Sequence, residues 1–488
     1  MSVIQINNLS FSYDGTYEDV FENVSFNIDS DWKLGLISRN GRGKTTLLKL
    51  LMGKYEYQGK IYSKLKFDYF PFDIKDSSKS TIEVINELKA DYEYWRLVKE
   101  IKLLNLAEDL LYQDFKSLSM GERTKVMLAL LFIEDNNFLL IDEPTNHLDA
   151  AGRQIVSRYL NTKKGFILVS HDQSFLDNCI DHVLSINKVD ITVTKGNFST
   201  WQENKMHQDN FELAQNDKLK KEIKRLEEAA MQTAKWSDNV EATRIGTHPG
   251  DRGRIGHLAA KMMKRSLNIQ ARRLRAVDEK SKLLKNIDRA DDLKIGCTKY
   301  HSQFLIRIND LSINYGDRTI FQNLSLDIEN GDRVALMGAN GCGKTSLIKL
   351  ILGENINYSG NIKVGSNLLI STVSQDTSYL KGNLKDYARY EGIDESLFKT
   401  ILRKFGYTRS MFDKDIKNYS EGQKKQVLLA KSLSQKANIY IWDEPLNYID
   451  ILSRKQIEGL IAEYCPTMLF VEHDIVFVGK ISTKIVEM

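Results

Sequence analysis

Long apolar runs are missing from this sequence of 488 residues. The longest run beside any motif covers residues 126–133, far short of the roughly 20 residues that a membrane-spanning helix needs. Residues 1–5 show no basic stretch followed by an apolar one, so we predict no secretory signal. Together these absences predict a cytoplasmic protein that makes no membrane contact.

Cysteine is also scarce in the sequence. The four cysteines have neither the close pairing of a disulfide framework nor the spacing of a metal site: Cys179, Cys297, Cys342 and Cys465. We therefore predict buried thiols in a reducing compartment.

Acidic residues are nearly absent from residues 244–275, where Asp251 is the only one. The same segment contains nine cations: Arg244, Arg252, Arg254, Lys261, Lys264, Arg265, Arg272, Arg273 and Arg275. Because the whole chain has a formal net charge of only +4, its positive charge is concentrated here. This concentration predicts an anionic partner, although a charged run can also be a solvated spacer between domains.

A helical hairpin is predicted around this basic segment. In residues 205–242 the apolar positions fall three or four apart, as one helix face requires: Leu219, Ile223, Leu226 and Ala230. Residues 257–287 have a similar composition. Between the two runs, residues 246–253 contain three glycines and a proline, which interrupt a helix. We predict two antiparallel helices with a basic tip.

The two ends of the chain repeat each other. Residues 8–13 recur at 310–315, and residues 21–25 recur at 321–325, an offset of about 300 residues. One domain has therefore been duplicated. The repeat predicts three parts, a first domain at 1–200, a helical linker at 201–300 and a second domain at 301–488.

Each half contains a phosphate-binding loop between a strand and a helix. The glycines of such a loop let backbone N–H groups wrap the phosphates, and its lysine reaches the β and γ phosphates. The predicted ATP contacts in these loops are Asn40, Gly41, Gly43, Lys44, Thr45 and Thr46, then Gly338, Asn340, Gly341, Gly343, Lys344, Thr345 and Ser346. The first half has Ser38 in place of the leading glycine, which predicts a strained or looser turn.

Two adjacent carboxylates follow an apolar strand in each half. They are Asp142 with Glu143 and Asp443 with Glu444. Such a pair suits ATP hydrolysis, because the first carboxylate can hold the Mg²⁺ shell and the second can polarise a water. About 30 residues later, another apolar strand ends in His171 or His473, and we predict that both histidines are catalytic.

The motifs together resemble a known family. Residues 118–122 (Leu-Ser-Met-Gly-Glu) and 419–423 (Tyr-Ser-Glu-Gly-Gln) resemble the signature sequence of ABC ATPases. With residues 142–149 and 196–199, the sequence resembles the ABC-F family over essentially its whole length. The resemblance implies an α/β fold with two tandem nucleotide-binding domains and a helical hairpin linker. Each domain would have a doubly wound core, an antiparallel β subdomain and a helical subdomain.

In that family each ATP lies between the phosphate loop of one domain and the signature of the other. The resemblance therefore implies a first site of Tyr13, Lys44, Thr45, Asp142, Glu143 and His171 with Ser420 and Gly422. It implies a second site of Tyr315, Lys344, Thr345, Gln375, Asp443, Glu444 and His473 with Ser119 and Gly121. Tyr13 and Tyr315 would stack on adenine or belong to the core, and Mg²⁺ would be held by Thr45, Asp142, Thr345, Gln375 and Asp443.

The two halves differ at two places. Phe72 stands where the second half has Gln375, and phenylalanine cannot ligate a metal. Residues 446–448 read Leu-Asn-Tyr where residues 145–147 read Thr-Asn-His. Our hypothesis is that the sites are unequal, with the Lys44 site binding ATP but turning it over more slowly.

The spacing of the motifs favours one subgroup of the ABC-F family. Lys44 and Ser119 are 75 positions apart, and Lys344 and Ser420 are 76 apart, which leaves no room for the extra arm of housekeeping ABC-F translation factors. Few residues follow His473, so no coiled-coil tail is expected. The sequence is most similar to antibiotic-resistance ABC-F proteins of the Lsa and Vga sort.

The resemblance to that subgroup implies a protein that binds the E site of the bacterial 70S ribosome when it holds ATP. Its basic linker would contact 23S rRNA and the P-site tRNA, and its tip would dislodge lincosamides, streptogramin A or pleuromutilins near the peptidyl-transferase centre. It would act as a monomer with both ATP sites between its own domains. Three alternatives stay open: a housekeeping translation factor, the ATPase pair of a drug exporter, and a DNA-handling ATPase.

Overall fold

The computed structural model describes most of both halves and part of the linker. It describes residues 2–13, 19–134, 137–146, 148–187, 191–242, 293–315 and 318–488, together with linker residues 261, 264, 268, 271 and 272. The chain divides into two compact units, Met1–Trp201 with Ala290–Met488 and, separately, Gln202–Arg289. The first unit thus contains both halves of the repeat.

Two sheets make up the first half. Its strands are β1 Val3–Phe11, β2 Phe21–Asp29, β3 Lys33–Ile37, β4 Gln58–Tyr62, β5 Lys66–Phe70, β6 Asn137–Asp142, β7 Phe166–Val169, β8 His182–Ile186 and β9 Ile191–Lys195. An antiparallel sheet has the order β2-β1-β4. A second sheet has the order β5-β6-β7-β3-β8-β9 and is parallel except for β9. All of β7 is buried, as expected for a central strand that is covered on both faces.

The second half repeats this plan. Its strands are β10 Gly296–Cys297, β11 Phe304–Tyr315, β12 Arg318–Glu329, β13 Arg333–Met337, β14 Tyr358–Val364, β15 Ile370–Val373, β16 Lys436–Ala437, β17 Ile439–Asp443, β18 Met468–Val471 and β19 Lys484–Glu487. The antiparallel sheet has the order β12-β11-β14, and the parallel core sheet has the order β15-β17-β18-β13-β19. The short strands β10 and β16 pair separately.

Helices cover the core sheets and form a helical subdomain in each half. In the first half they are Lys44–Leu51, Thr81–Leu88, Tyr94–Leu103, Met120–Leu131, Ala150–Asn161 and Gln173–Cys179, with 3₁₀ turns at Glu108–Tyr112 and Phe115–Ser117. In the second half they are Lys344–Ile351, Leu384–Tyr390, Glu395–Lys404, Glu421–Ser434, Ile451–Tyr464 and Ile475–Ile481, with 3₁₀ turns at Arg409–Met411 and Ile416–Asn418. The predicted fold class, two tandem α/β nucleotide-binding domains, is confirmed.

In the linker unit, the predicted first helix is confirmed. One helix runs from Phe198 to Ala242, and Leu219 and Ile223 are half-buried on it while most of their neighbours are exposed. Lys261, Lys264 and Arg272 are helical and exposed. The predicted tip at 246–253 and most of the predicted second helix lie outside the described residues.

The prediction of buried thiols is wrong for two of the four cysteines. All four are unpaired, and Cys179 is buried, but Cys297 and Cys465 are exposed. Cys297 lies on the two-residue strand β10, and Cys465 caps the helix Ile451–Tyr464 in the left-handed region at φ +44°. Among the described residues, no helix is long and apolar enough to cross a membrane.

Candidate functional site

The two phosphate-binding loops join β3 and β13 to the helices that begin at Lys44 and Lys344. The residue before each helix, Gly43 or Gly343, is left-handed at φ +88° and +107°. A Cβ on Gly343 would lie 2.5 Å from the Cγ2 atom of Ile320, so only glycine fits. Each loop therefore turns sharply and presents a helix N-terminus, which is suited to binding phosphate.

The loop lysines are held by backbone carbonyls. The Nζ atom of Lys344 donates hydrogen bonds to the carbonyl oxygens of Gly338 and Ala339, both at 2.9 Å. Lys44 donates to the carbonyl oxygen of Ser38 at 3.0 Å and to the Asn40 side chain at 3.2 Å. Ser38 does not have a positive φ, so the predicted strain at that turn is absent.

In each half, a threonine hydroxyl is hydrogen-bonded to an aspartate carboxylate, and such a pair of oxygen groups can bind magnesium. The Oγ1 atom of Thr45 donates to Oδ2 of Asp142 at 2.9 Å, and that of Thr345 donates to Oδ2 of Asp443 at 2.8 Å. Burial raises the pKa of both aspartates. The other carboxylate oxygen of Asp443 is buried and accepts no hydrogen bond within the described part of the chain. Mg²⁺ prefers oxygen ligands, so a pair of oxygen groups that includes a carboxylate oxygen without a hydrogen-bond donor suits this ion.

The catalytic candidates Glu143 and Glu444 follow these aspartates in an unusual backbone conformation. Both are left-handed, at φ +53° and +48°, and their N–H groups donate to Val169 and Val471 at 2.9 and 3.1 Å. Left-handed non-glycine residues of this kind often occur at functional sites. The two predicted histidines lie beside them, with Nε2–Oε1 distances of 3.1 Å for His171 and Glu143 and 3.4 Å for His473 and Glu444.

The surroundings of the two glutamates differ. Glu444 accepts hydrogen bonds from Gln375 at 2.9 Å and from Asn447 at 2.7 Å. Burial alone would raise its pKa, but His473, the charge of Lys425 and the hydrogen bond from Gln375 together outweigh burial and lower it. Neither carboxylate oxygen of Glu143 accepts a hydrogen bond within the described chain. Burial, followed by the charge of Asp142, raises the pKa of Glu143 to about 7.

The position of Phe72 accounts for part of this difference. Phe72 lines a cavity of about 610 Å³ together with Asp142 and Glu143, at the place where the second half has the amide of Gln375. Tyr69, which the sequence analysis did not single out, donates from its hydroxyl to Oδ2 of Asp142 at 3.0 Å. Strand register makes Thr372 the counterpart of Tyr69.

The second site combines both halves of the chain, as the head-to-tail arrangement predicts. A pocket of about 680 Å³ is lined by the second half's phosphate loop and catalytic residues and by the first half's signature. The predicted residues that line it are Ser119, Gly121, Tyr315, Asn340, Gly341, Gly343, Lys344, Thr345, Ser346, Gln375, Glu444 and His473. Gly338 and Asp443 adjoin these residues through their bonds to Lys344 and Thr345.

The first site also combines both halves. The side chain of Asn40 donates to the carbonyl oxygen of Tyr448 at 2.8 Å, and a Cβ on Gly422 would lie 3.0 Å from the Asn40 amide nitrogen. The phosphate loop of the first half thus lies against the signature of the second. Tyr448 also lines the cavity beside Glu143.

The signature serines begin two helices, which we call the signature helices, Met120–Leu131 and Glu421–Ser434. Ser119 and Ser420 are the N-caps, and each accepts a hydrogen bond from a backbone N–H at 3.3 Å. Both helices therefore direct N–H groups towards the opposing phosphate loop.

The two candidate adenine contacts lie in front of the phosphate loops. Tyr13 and Tyr315 are 40% and 50% exposed, so part of each side chain is accessible to a base. Their hydroxyls bond to Thr46 at 2.7 Å and to Ser346 at 3.2 Å. Stacking on adenine stays a prediction.

Sequence reasoning missed two contributors, Tyr69 and Asn447. Asn447 had a visible signal, because the same residue stands at the matching position of the first half, Asn146. The bond between Tyr69 and Asp142 depends on the register of β5 against β6, which no spacing in the sequence reveals.

Comparison with known proteins identifies the family of both halves. The profile of the family described as "ABC transporter" matches residues 21–146 and 321–447. The chain is 28% identical to ribosome protection protein VmlR of Bacillus subtilis, over 98% of this chain and 85% of VmlR. It is 28% identical to ATP-binding protein Uup of Buchnera aphidicola, over 99% of this chain and 80% of Uup.

A third relative and a solved structure are similar over comparable lengths. Energy-dependent translational throttle protein EttA of Escherichia coli is 25% identical over 96% of this chain and 89% of EttA. The solved structure of archaeal ribosome recycling factor aABCE1, in complex with stalk protein aP1, has a TM-score of 0.61 at 19% identity. It covers 96% of this chain and 84% of that one, and it supports the tandem fold.

Proposed function

Because this chain belongs to the ABC transporter family of ATP-binding proteins, which hydrolyse ATP, we propose that it is a ribosome-protection ATPase of the ABC-F kind. One observation carries the proposal. Both candidate nucleotide sites take residues from both halves within one compact unit, while a separate helical unit carries the concentrated positive charge. In this proposal, ATP binding brings the two domains together, and the linker then acts on an RNA partner.

At the second site, the residues divide the work of hydrolysis. Lys344 and the loop N–H groups bind the β and γ phosphates, and the signature helix that begins after Ser119 approaches the γ phosphate from the other half. Glu444, held by Gln375 and Asn447, polarises the attacking water. His473 lies against Glu444 and keeps it oriented. Thr345 and Asp443 would hold Mg²⁺, which neutralises phosphate charge when bound.

At the first site, we propose slower turnover. Among the described residues, Glu143 has no amide donor comparable to Gln375 to hold it, and its raised pKa leaves it partly protonated near neutral pH. A protonated glutamate is a poor general base. ATP bound at Lys44 therefore stays longer and keeps the domains together while the second site turns over.

In this proposal, the linker is the part of the protein that contacts the ribosome. Its exposed Lys261, Lys264 and Arg272 belong to the segment with nine cations and one acidic residue. Cations arranged in this way bind RNA mainly through its phosphates. ATP acts as a switch because it binds the closed form more tightly than the open form. The closed form would enter the E site of the 70S ribosome and direct the linker tip towards the drug-binding region.

Similarity to ribosome protection protein VmlR supports protection, and similarity to translational throttle protein EttA supports a second candidate, a housekeeping role in translation. Both relatives match nearly the whole chain. The 75-residue interval from Lys44 to Ser119, which leaves no room for an arm, favours protection. In either role we propose that the chain works in the cytoplasm as a monomer.

Drug susceptibility separates the two candidates. The wild-type chain and its Glu143→Gln, Glu444→Gln variant are expressed in a susceptible bacterium and tested with a lincosamide, streptogramin A and a pleuromutilin. Protection predicts raised resistance with the wild type alone. If resistance does not change but the variant still arrests growth and binds ribosomes, the housekeeping role is correct.

A further inference from the structure

A buried ammonium group lies beside the second site without contacting the predicted nucleotide position. Lys425 is only 2% exposed and lies in the second half's signature helix, Glu421–Ser434, which begins beside Ser420. That helix belongs to the first site through its N-terminus. The side chain of Lys425, however, extends towards the residues of the second site.

The Lys425 ammonium group donates hydrogen bonds to two backbone carbonyls. Its Nζ atom donates to the carbonyl oxygen of Ser374 at 2.8 Å and to that of Asp443 at 3.4 Å. Ser374 directly precedes Gln375, which holds Glu444. Asp443 precedes Glu444 itself. Lys425 therefore bonds to both segments that place the second site's catalytic glutamate.

A second side-chain bond joins the same two regions. The hydroxyl of Thr377 donates to the carboxylate of Glu421, the first residue of the signature helix. Residues 374–377 are thus fixed to this helix at two points. A displacement of the helix would be transmitted directly to the backbone beside Gln375.

The first half provides an internal comparison, because its described residues make no such connection. Thr124 occupies the position of Lys425, five residues after the signature serine, and its hydroxyl donates within its own helix to Met120 at 3.0 Å. Thr124, Pro71 and Asp142 are the counterparts of Lys425, Ser374 and Asp443. All three line the cavity of about 610 Å³. The first half therefore has an open cavity at the place where the Lys425 side chain lies in the second half.

We propose that Lys425 is a positioning residue that couples the two ATP sites, by fixing the signature helix of the first site to the segments carrying Gln375 and Glu444 of the second. The proposal deepens the function proposed above and rests on both sites being composite. When the helix closes on nucleotide at Lys44, its motion aligns Gln375 and Glu444. No matching bridge joins the first half's signature helix to its own Phe72 and Glu143 segments among the described residues, because the Thr124 hydroxyl bonds within its own helix.

An ammonium suits this position because it has three donors and no acceptor. A neutral side chain of the same length would leave two buried carbonyl oxygens without their donor, which weakens the packing of both segments. Residues that support catalytic groups in this way typically affect activity or metal affinity by about 10-fold to 100-fold.

The test uses the full chain in the Glu143→Gln background, where the remaining turnover comes from the second site. Lys425→Met should lower kcat by about 10-fold or more and leave the KM for ATP nearly unchanged. Lys425→Arg should restore part of the loss, because a guanidinium can still donate to carbonyls. Lys431→Met is the matched control, since Lys431 lies on the same helix but pairs with Glu391 at 3.2 Å; its kcat should not change.

A second readout does not depend on hydrolysis. Amide hydrogen exchange of residues 375–378 should become faster in Lys425→Met without nucleotide, and the matching residues 72–75 should be unaffected. Unchanged exchange and unchanged kcat in Lys425→Met would overturn the proposal, and so would an equal loss in Lys431→Met. If Lys425→Met does not fold, Lys425→Arg decides, because a fully inactive arginine variant with wild-type exchange would contradict positioning. Loss of all ATP binding in the Glu143→Gln protein itself would instead contradict the proposed ATP-dependent function.

Discussion

Glu143 and Glu444 occupy matching positions but are held differently, and this difference can be measured. Glu444 accepts two amide hydrogen bonds, whereas Glu143 accepts none within the described chain. We therefore expect Glu444→Gln to lower steady-state ATPase activity by about 100-fold, while Glu143→Gln lowers it by less than about 5-fold. Phosphate release from each purified variant is the measurement. Equal losses would show that the sites are equivalent.

Phe72 is the residue that most clearly separates the sites. In the Glu444→Gln background, Phe72→Gln should raise the remaining turnover by about 10-fold, because an amide can then hold Glu143 as Gln375 holds Glu444. The matched control is Phe72→Leu, which keeps an apolar side chain and should have no such effect. Gln375→Phe, tested with Glu143→Gln, should cause a loss of similar size. A Phe72→Gln variant no faster than Phe72→Leu would show that Phe72 does not limit the first site.

Among the secondary-structure elements, the strand–loop–helix units were the most predictable. Their signals are local: apolar strands at 33–37 and 333–337, glycines at fixed offsets, and a helix after the lysine, all present as β3, β13 and the helices Lys44–Leu51 and Lys344–Ile351. Local patterns of this kind reflect backbone geometry directly, so spacing alone was sufficient.

Contacts that depend on the relative position of elements could not be predicted. Tyr69 reaches Asp142 because β5 pairs with β6 in one register. Lys425 reaches Ser374 because a helix packs across the end of β15. Both residues belong to otherwise ordinary segments, and their partners lie 51 or more positions away. The exposure of Cys297 and Cys465 was missed for a related reason, since burial of a residue type is only an average tendency.

The phosphate-binding loop of the second half depends on the left-handed backbone conformation of Gly343. Gly343→Ala places a methyl group 2.5 Å from Ile320 at a φ of +107°, so the loop must deform and ATP binding should weaken by about 100-fold or more. Gly459→Ala is the control, because it lies inside the helix Ile451–Tyr464 with open space around it. That variant should bind ATP normally and gain about 1 kcal/mol of stability. Binding of a fluorescent ATP analogue and thermal unfolding check both outcomes, and normal binding by Gly343→Ala would contradict the loop geometry.

At the scale of the whole molecule, the linker's charge should govern partner binding without governing ATP hydrolysis. Changing Lys261, Lys264 and Arg272 together to glutamine should weaken ribosome binding and reduce its salt dependence, by about one unit of slope for each phosphate that is no longer neutralised. The matched control changes Lys220, Lys221 and Lys224 of the first linker helix, which are also exposed but lie outside the concentrated segment. ATPase activity without ribosomes should be the same in both. If the two sets weakened binding equally, the charge would act nonspecifically.

We propose that the ATP-closed domains hold this protein on the ribosome. The most direct test is co-sedimentation of the Glu143→Gln, Glu444→Gln double variant with 70S ribosomes, with ATP, with ADP and without nucleotide. We expect stoichiometric binding with ATP and little binding in the other two conditions, and weaker binding as salt is raised. Absence of ATP-dependent binding at low salt, from a variant that still binds ATP, would show that closure by ATP does not hold the protein on the ribosome.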